Sequence, residues 1–460
     1  MEGQAAPNDR WRRRAALIPA VVLLAGLAAL HVAALFYAFT SRKYFFFDFR
    51  CYYIAVAFLD IHTNPYDRVT GIQPFVYTPC ALILLKCFTV YKEFDAERQW
   101  MVVKCLAGML ILLLLRRQFN IRLGVKQWLL IAGGFTFAVV QDLATGNVSL
   151  FEQLLVWAGF AALLTRRYLL FAACLVIAAQ FKLTTALLLP CVLLIDGDSA
   201  ERRRQWIALA AGVAMLVAAA RLNSAIWPRW THDMAANLAL IDYDGAACDP
   251  ASRAFFDDAA RALGVGAAAP ALYATFIVMV LAVSARAFWR YRGRTRKTDG
   301  VLVIMFACVV YALLLPRLKL YSYVLVLPPA MLLADRARGW KAVLILALCL
   351  LPTHNLVYPF DQVTRAIAGA YDAAHVPAIV SNYTSLFALF AMWLWYLGEL
   401  RRAKPTEADP AVQDVPAVAP AGSALATSAA PPPQKRKGAP PTIDPVPKPP
   451  AGSAFITPIR

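Results

Sequence analysis

In the stretch "KYFFFDFRCYYIAVAFLD", residues 43–60, a single carboxylate, Asp48, lies among Tyr44, Phe45, Phe46, Phe47, Phe49, Tyr52 and Tyr53, just past a long apolar segment. Two readings of these residues stand side by side. The rings could form an aromatic belt at a membrane interface, with Asp48 as the N-cap of the helix that follows. Alternatively, Asp48 is a general base in a poorly hydrated aromatic pocket, where desolvation raises its pKa and a helix N-terminus pulls it down. Helical spacing sets Asp48 and Tyr52 on one face, so the phenol can orient the carboxylate or a substrate.

A carboxylate base needs cations to stabilise a leaving group. Lys182, in "AAQFKLTTALLLP", puts an ammonium within apolar sequence, at a cost of roughly 2.5–3.5 kcal/mol near a helix centre. Arg317 and Lys319 flank one residue in "LLLPRLKLYSYVLVLPP", with Tyr321 and Tyr323 just beyond, and Arg50 is a further candidate. If the chain is extended after Pro316, Arg317 and Lys319 project the same way. Together they offer a bidentate fork and a point charge to a phosphate, with Tyr321 and Tyr323 lining the entrance. The competing reading is ordinary charge at helix ends, snorkelling into headgroups.

The elements that must hold these residues are membrane helices. The chain has 460 residues, of which 60% are hydrophobic and 16% charged. Its apolar runs of about 16–25 residues are near the length needed to cross a bilayer. The runs are continuous, which excludes a β-barrel and points to an all-α polytopic membrane protein. The net charge of +18 comes in short bursts between apolar runs. That suits cytoplasmic loops and excludes a nucleic-acid binder, whose basic residues would gather on one soluble face.

With the basic loops set inside, one topology emerges. Residues 1–14 are cytoplasmic, span 1 covers about 15–38, and its apolar run is too long for a cleaved signal peptide. An outward loop, 41–97, carries two short helical pieces, 48–60 and 79–91, of interfacial or re-entrant type. Spans 2, 3 and 4 follow at 99–115, 127–143 and 149–165. The run 168–195 is too long for one simple span, and each half allows only about 21 Å of helix, so two short helices meeting near Lys182 fit it best. Spans 7 to 12 follow at 206–222, 271–289, 299–315, 320–334, 341–357 and 383–400. Outward loops lie at 223–270 and 358–382. About twelve spans place both termini inside. From 403 to 460 the composition turns to Pro, Ala and Ser, as in a disordered cytoplasmic tail.

The nine cysteines are scattered without metal-ligand spacing. Most read as small core residues, and Cys51, Cys80, Cys87 and Cys248 fall on the outward side. There is no P-loop, no GxSxG elbow and no DxD-type metal motif in an outward loop.

"DFRCYYIAVAFLDIHTNPYD" followed by "FVYTP" resembles the signature of glycosyltransferase family 87, the polyprenyl-phosphate-mannose-dependent α-mannosyltransferases of the GT-C superfamily. The matching positions are Asp48, Tyr52 or Tyr53, Pro65 with Tyr66, and Tyr77 with Pro79. Gly146, Asn147, Val148 and Ser149 stand where the family has Gly-Gln-x-Asn, and Lys182 where it has a Lys before a helix. The family's late Trp/His-bearing element is replaced by "PRLKLYSY". The resemblance covers roughly 40–400 and is strongest over 48–195.

The resemblance implies a GT-C-type fold over 15–402, with Asp48 as catalytic base in the first outward loop. It implies substrate-lining roles for Tyr52, Tyr66, Tyr77 and Asn147, and no metal or other cofactor, because a lipid monophosphate can be bound by protein cations. The reaction would be inverting transfer of a hexose, mannose foremost, from a polyprenyl-phosphate donor to a glycolipid or polysaccharide acceptor. Arg317, Lys319 or Lys182 would stabilise the leaving phosphate at the outer face of the inner membrane. Two other classes are weighed against it. A secondary transporter or flippase would show mid-span charges on several helices and internal repeats. A non-catalytic membrane assembly protein would use the long Pro-rich tail.

Overall fold

The computed structural model describes residues 47–67, 73–241, 249–294, 299–353 and 361–402. The expected cytoplasmic N-terminus, the first span, Cys248 and the tail 403–460 lie outside these. The described residues contain helices and no strand.

Helix α1 (Phe47–Asp60) and the short α2 (Pro79–Leu85) with its 3-10 extension (Lys86–Phe88) form the two pieces expected before span 2. Pro79 opens α2, where its missing N–H costs nothing. The N–H of Cys80 is satisfied by Asn223 Oδ1 at 2.8 Å. The bundle continues through α3 (Glu93–Gln118), α4 (Val125–Thr145), α5 (Ser149–Leu164) and α6 (Tyr168–Phe181). A 3-10 segment, Leu183–Leu193, comes next, followed by α7 (Ser199–Ile226). Helices α8 (Trp230–Ile241) and α9 (Ser252–Ala262) fill the second expected outward loop. Beyond them come α10 (Ala269–Arg294), α11 (Gly300–Leu314), a 3-10 turn (Leu320–Val326), α12 (Leu327–Arg336) and α13 (Trp340–Leu350). Helices α14 (Asp361–Ala373), α15 (Ala378–Ser381) and α16 (Thr384–Arg402) complete the described chain.

Among the described residues, four stretches are long and apolar enough to cross a bilayer: Glu93–Gln118, Val125–Thr145, Ser199–Ile226 and Gly266–Gly293. Expected spans 4, 9 and 11 form shorter apolar helices. The long helices leave large apolar side chains uncovered, including Met109 on α3, Val217 on α7 and Val278 on α10. Such bare faces suit lipid as their solvent. The chain is a polytopic helical membrane protein.

Two cores hold it together. The larger runs through α5, α6, α11, α12, α13 and α16 and includes Trp157, Met305 and Tyr396. The smaller wraps α1 and α2 around Trp100 of α3, with Phe49, Tyr52, Tyr66 and Phe75. This second, aromatic core fixes α1, and with it Asp48.

The structure departs from an unbroken span 3. Phe135, Thr136 and Phe137 within α4 have φ of 51°, 60° and 62°, a left-handed turn that splits the helix. Three non-glycine residues in that region are strained, and hold only where their surroundings over-determine them. Here polar groups at the turn find partners both within α4 and from other elements. Thr136 Oγ1 bonds Ser385 Oγ at 3.1 Å and accepts from the N–H of Thr353 at 3.0 Å. The Thr136 carbonyl accepts from Gln141 Nε2. Irregular backbone at membrane depth survives in this way, buried in protein. At Lys182 the backbone is extended (φ −149°, ψ 101°) between α6 and the 3-10 segment, so the long apolar run does divide there.

Candidate active site

The site grows from the turn between α4 and α5. Gly146 caps α4 with φ 71°, a left-handed conformation that glycine adopts without steric cost. Its carbonyl accepts from Trp100 Nε1 at 2.8 Å. Asn147 follows. Its Oδ1 accepts from the Ser149 N–H at 3.0 Å and from Ser149 Oγ at 2.8 Å, a local turn that decides which end of the amide points away. That end, Nδ2, donates to Asp48 Oδ2 at 2.8 Å. Tyr52 OH and Tyr77 OH each lie 3.3 Å from the same nitrogen and 2.9 Å from each other.

Asp48 lies inside α1, and its carboxylate faces Asn147 across the fold. The N-cap reading is therefore not how this residue is used. Burial raises its pKa above the usual carboxylate range, while Lys319, Asn147 and Lys104 pull it back. Burial likewise holds the Tyr52 and Tyr77 phenols well above their ordinary range, so both stay protonated.

Asp48 opens on a cavity of about 470 Å³. Tyr52, Tyr77, Asn147, Lys182, Arg317, Lys319 and Tyr321 share its wall. Residues far apart in sequence are thereby brought to one space. The chain after α11 is extended, as Pro316 leads one to expect, and both cations of "PRLK" reach the cavity. Arg317 pairs with Asp249 at 3.6 Å, and the other oxygen of Asp249 accepts from the Leu318 N–H at 2.6 Å. Lys182 donates to Ser322 Oγ at 2.8 Å and stands 3.5 Å from the buried carboxylate of Glu152. Thr185 donates to the second oxygen of Glu152 at 2.5 Å. Helix α9 adds Arg253, Asp257, Asp258 and Arg261 to the wall.

Three expected positions come out differently. Tyr323 lies outside the cavity lining: it is fully buried, donates to the Pro250 carbonyl at 2.8 Å and stacks on Phe135. The reason is local. Residues 320–326 coil as a 3-10 helix, and positions two apart then leave on different faces, so Tyr321 meets the cavity and Tyr323 does not. Tyr66 is also outside the lining. It props the Tyr77 carbonyl from behind, donating at 2.8 Å. Arg50 points away, paired with Glu93 and Glu97 at 3.1 and 2.9 Å. Cys51, Cys80 and Cys87 are free thiols.

Sequence reasoning missed Glu152, Asp249 and the charged face of α9. It also missed the pair Lys104–Asp142, at 2.8 Å with both side chains fully buried. The one available signal was that Lys104 and Asp142 are charges inside apolar runs, the same argument that singled out Lys182. Among the described residues, no group of three or more His, Cys, Asp or Glu side chains is placed to hold a metal ion.

This arrangement sets a desolvated carboxylate and several cations on the wall of one pocket in a membrane bundle. The family model of glycosyltransferase family 87 matches residues 75–316, more than half of the chain. The chain belongs to that family of membrane glycosyltransferases. The matched region contains Tyr77, Asn147 and Lys182 and ends one residue before Arg317, so Asp48, Arg317 and Lys319 stand on geometry. No curated protein and no solved structure matches the chain.

Proposed function

We propose that the protein transfers a hexose, mannose foremost, from a polyprenyl-phosphate carrier to a hydroxyl of a glycolipid or polysaccharide acceptor, with inversion. Asp48 takes the proton of the acceptor hydroxyl, and the acceptor oxygen forms the new bond to the anomeric carbon. The bond from that carbon to the phosphate oxygen breaks, and the polyprenyl phosphate leaves with the electron pair. Arg317, Lys319 or Lys182 stabilises the charge that develops on it. Tyr52, Tyr77, Asn147 and Tyr321 line the space in which the sugar is oriented. No metal is required in this scheme, since protein cations meet the single phosphate. The cavity faces the outer side of the inner membrane, in a GT-C-type fold of about twelve spans.

The observation that carries this reading is the 2.8 Å bond from Asn147 to Asp48 at a cavity whose wall includes Lys182, Arg317 and Lys319. It supplies both an oriented base and a place for the leaving phosphate. The test is Asp48→Asn in purified protein reconstituted in lipid nanodiscs. Donor binding should persist while transfer falls by about 10²–10⁴-fold, the usual contribution of general-base catalysis. Wild-type transfer by this variant would refute the assignment. Loss of activity on chelation, restored by magnesium or manganese, would refute metal independence.

A further inference from the structure

The Lys104–Asp142 pair lies behind the site, and the scheme above gives it no role. Both side chains have zero exposure, in helices α3 and α4. A buried ion pair is a poor way to gain stability: desolvation consumes much of the attraction, and apolar residues of like volume often do as well. Here the pair is not even fully satisfied, because Asp142 Oδ1 has no hydrogen-bond partner among the described residues. Its position suggests another use.

Asp142 starts the turn that ends in Asn147. Its carbonyl accepts from the Asn147 N–H at 3.2 Å and also from Lys104 Nζ. Trp100, one helical turn before Lys104 on α3, holds the far end of the same turn through the Gly146 carbonyl. So α3 grips the turn at two points, and Asn147 leaves it with its amide aimed at Asp48.

We propose that Lys104 and Asp142 are a positioning pair for Asp48, fixing the turn that presents Asn147 and setting the charge balance behind the carboxylate. The proposal rests on the reading of Asp48 as the base. Neither residue touches substrate; both act through Asn147 and through the field at Asp48. The groups facing Asp48 are Asn147 and Thr145 from the turn, Lys319 and Tyr321 from the loop after α11, Cys51 and Tyr52 from α1, and Tyr77. Lys104 and Asp142 stand behind these. The ammonium of Lys104 favours the ionised carboxylate of Asp48, and the charge of Asp142 opposes it.

The two members should therefore move Asp48 in opposite directions, which a merely structural role would not do. The experiment is an infrared titration of the Asp48 carboxyl in the full-length protein, taken as a difference against Asp48→Asn. It is run on Lys104→Met, Asp142→Asn and the neutral double variant Lys104→Met/Asp142→Leu. Relative to wild type, the midpoint should rise in Lys104→Met and fall in Asp142→Asn. With a synthetic short-chain polyprenyl-phosphate mannose as donor, all three should lose kcat, up to about 100-fold for a displaced base, with donor KM kept. Coincident midpoints, or midpoints moving the same way in both single variants, would overturn the proposal. If the single variants do not fold, the double variant decides: wild-type kcat there overturns it and a fall with unchanged donor KM supports it. Full activity in Asp48→Asn removes the base assignment, and this inference with it. An inactive Asp48→Asn beside a fully active double variant sinks the positioning role alone.

Discussion

Replacing Asn147 with Leu tests the site at its centre. Leu has nearly the same size and shape, so side-chain volume is kept while the Nδ2 donor to Asp48 and the Oδ1 acceptor for Ser149 are both lost. That donor makes a 2.8 Å bond to a carboxylate held partly out of water, and also approaches the Tyr52 and Tyr77 phenols at 3.3 Å. A hydrogen bond to a charged group contributes about 1.5–3 kcal/mol. If the bond holds Asp48 in its reactive pose, its loss lowers kcat by roughly 10- to 150-fold. The bond also favours the ionised form of Asp48, so the acidic limb of the rate profile should move to higher pH. Ser149 provides an internal comparison. Ser149→Ala removes one of two bonds to Asn147 Oδ1 and leaves the backbone N–H in place, so its effect should be smaller and in the same direction. The assay is transfer from a radiolabelled polyprenyl-phosphate hexose by purified protein in nanodiscs, followed across pH 4–9. A kcat within twofold of wild type and an unmoved acidic limb in Asn147→Leu would refute the reasoning.

Three further outcomes are expected. Arg317→Lys keeps the charge but loses the planar fork, so donor KM should rise; donor affinity unchanged in both Arg317→Ala and Lys319→Ala would move the phosphate site to Lys182. Lys182→Gln leaves the buried Glu152 without its cation and should lower the Tm, while Lys182→Gln/Glu152→Gln restores the Tm but not donor binding. A double variant that binds donor like wild type would remove Lys182 from the phosphate site. Finally, Asp48 should make stability depend on pH. Its folded pKa is raised above the ordinary value of 3.8, so its contribution is full below that value and is lost as pH rises through the folded pKa. Asp48→Asn should therefore melt higher than wild type at neutral pH, and the advantage should vanish on acidification. An equal difference at both pH values would contradict the raised pKa.

Much of the architecture is legible in one dimension because lipid imposes a one-dimensional rule. An apolar run must satisfy its backbone as helix, so hydropathy and run length locate α11 closely and find α3, α7 and α10, whose observed helices extend beyond the expected spans. The same rule divides the run 168–195 at Lys182, since an extended break leaves two short pieces. It also makes charge within apolar sequence informative, which is why Asp48, Lys182 and "PRLK" can be named before any coordinates. It fails where backbone and side-chain partners come from elsewhere in the chain. The left-handed turn in α4 depends on the Thr353 N–H and Ser385, more than 200 residues further on. The fate of Tyr323 depends on the coiling of Leu320–Val326, the head of expected span 10, as a 3-10 helix.

The site itself divides along the same line. The sequence alone determined which residue types are on hand: a carboxylate among aromatic residues, cations outside the basic loops, and tyrosines beside both. Tertiary structure decided which of them meet. Asp48 reaches Asn147 across 99 positions, Lys182 reaches Ser322 across 140, and Asp249 clamps the Arg317 loop from the second expected outward loop. None of these pairings has a periodicity to betray it. Each is set by how helices pack laterally, through shape and local hydrogen bonds, and lateral order leaves no trace in the hydropathy of a single span.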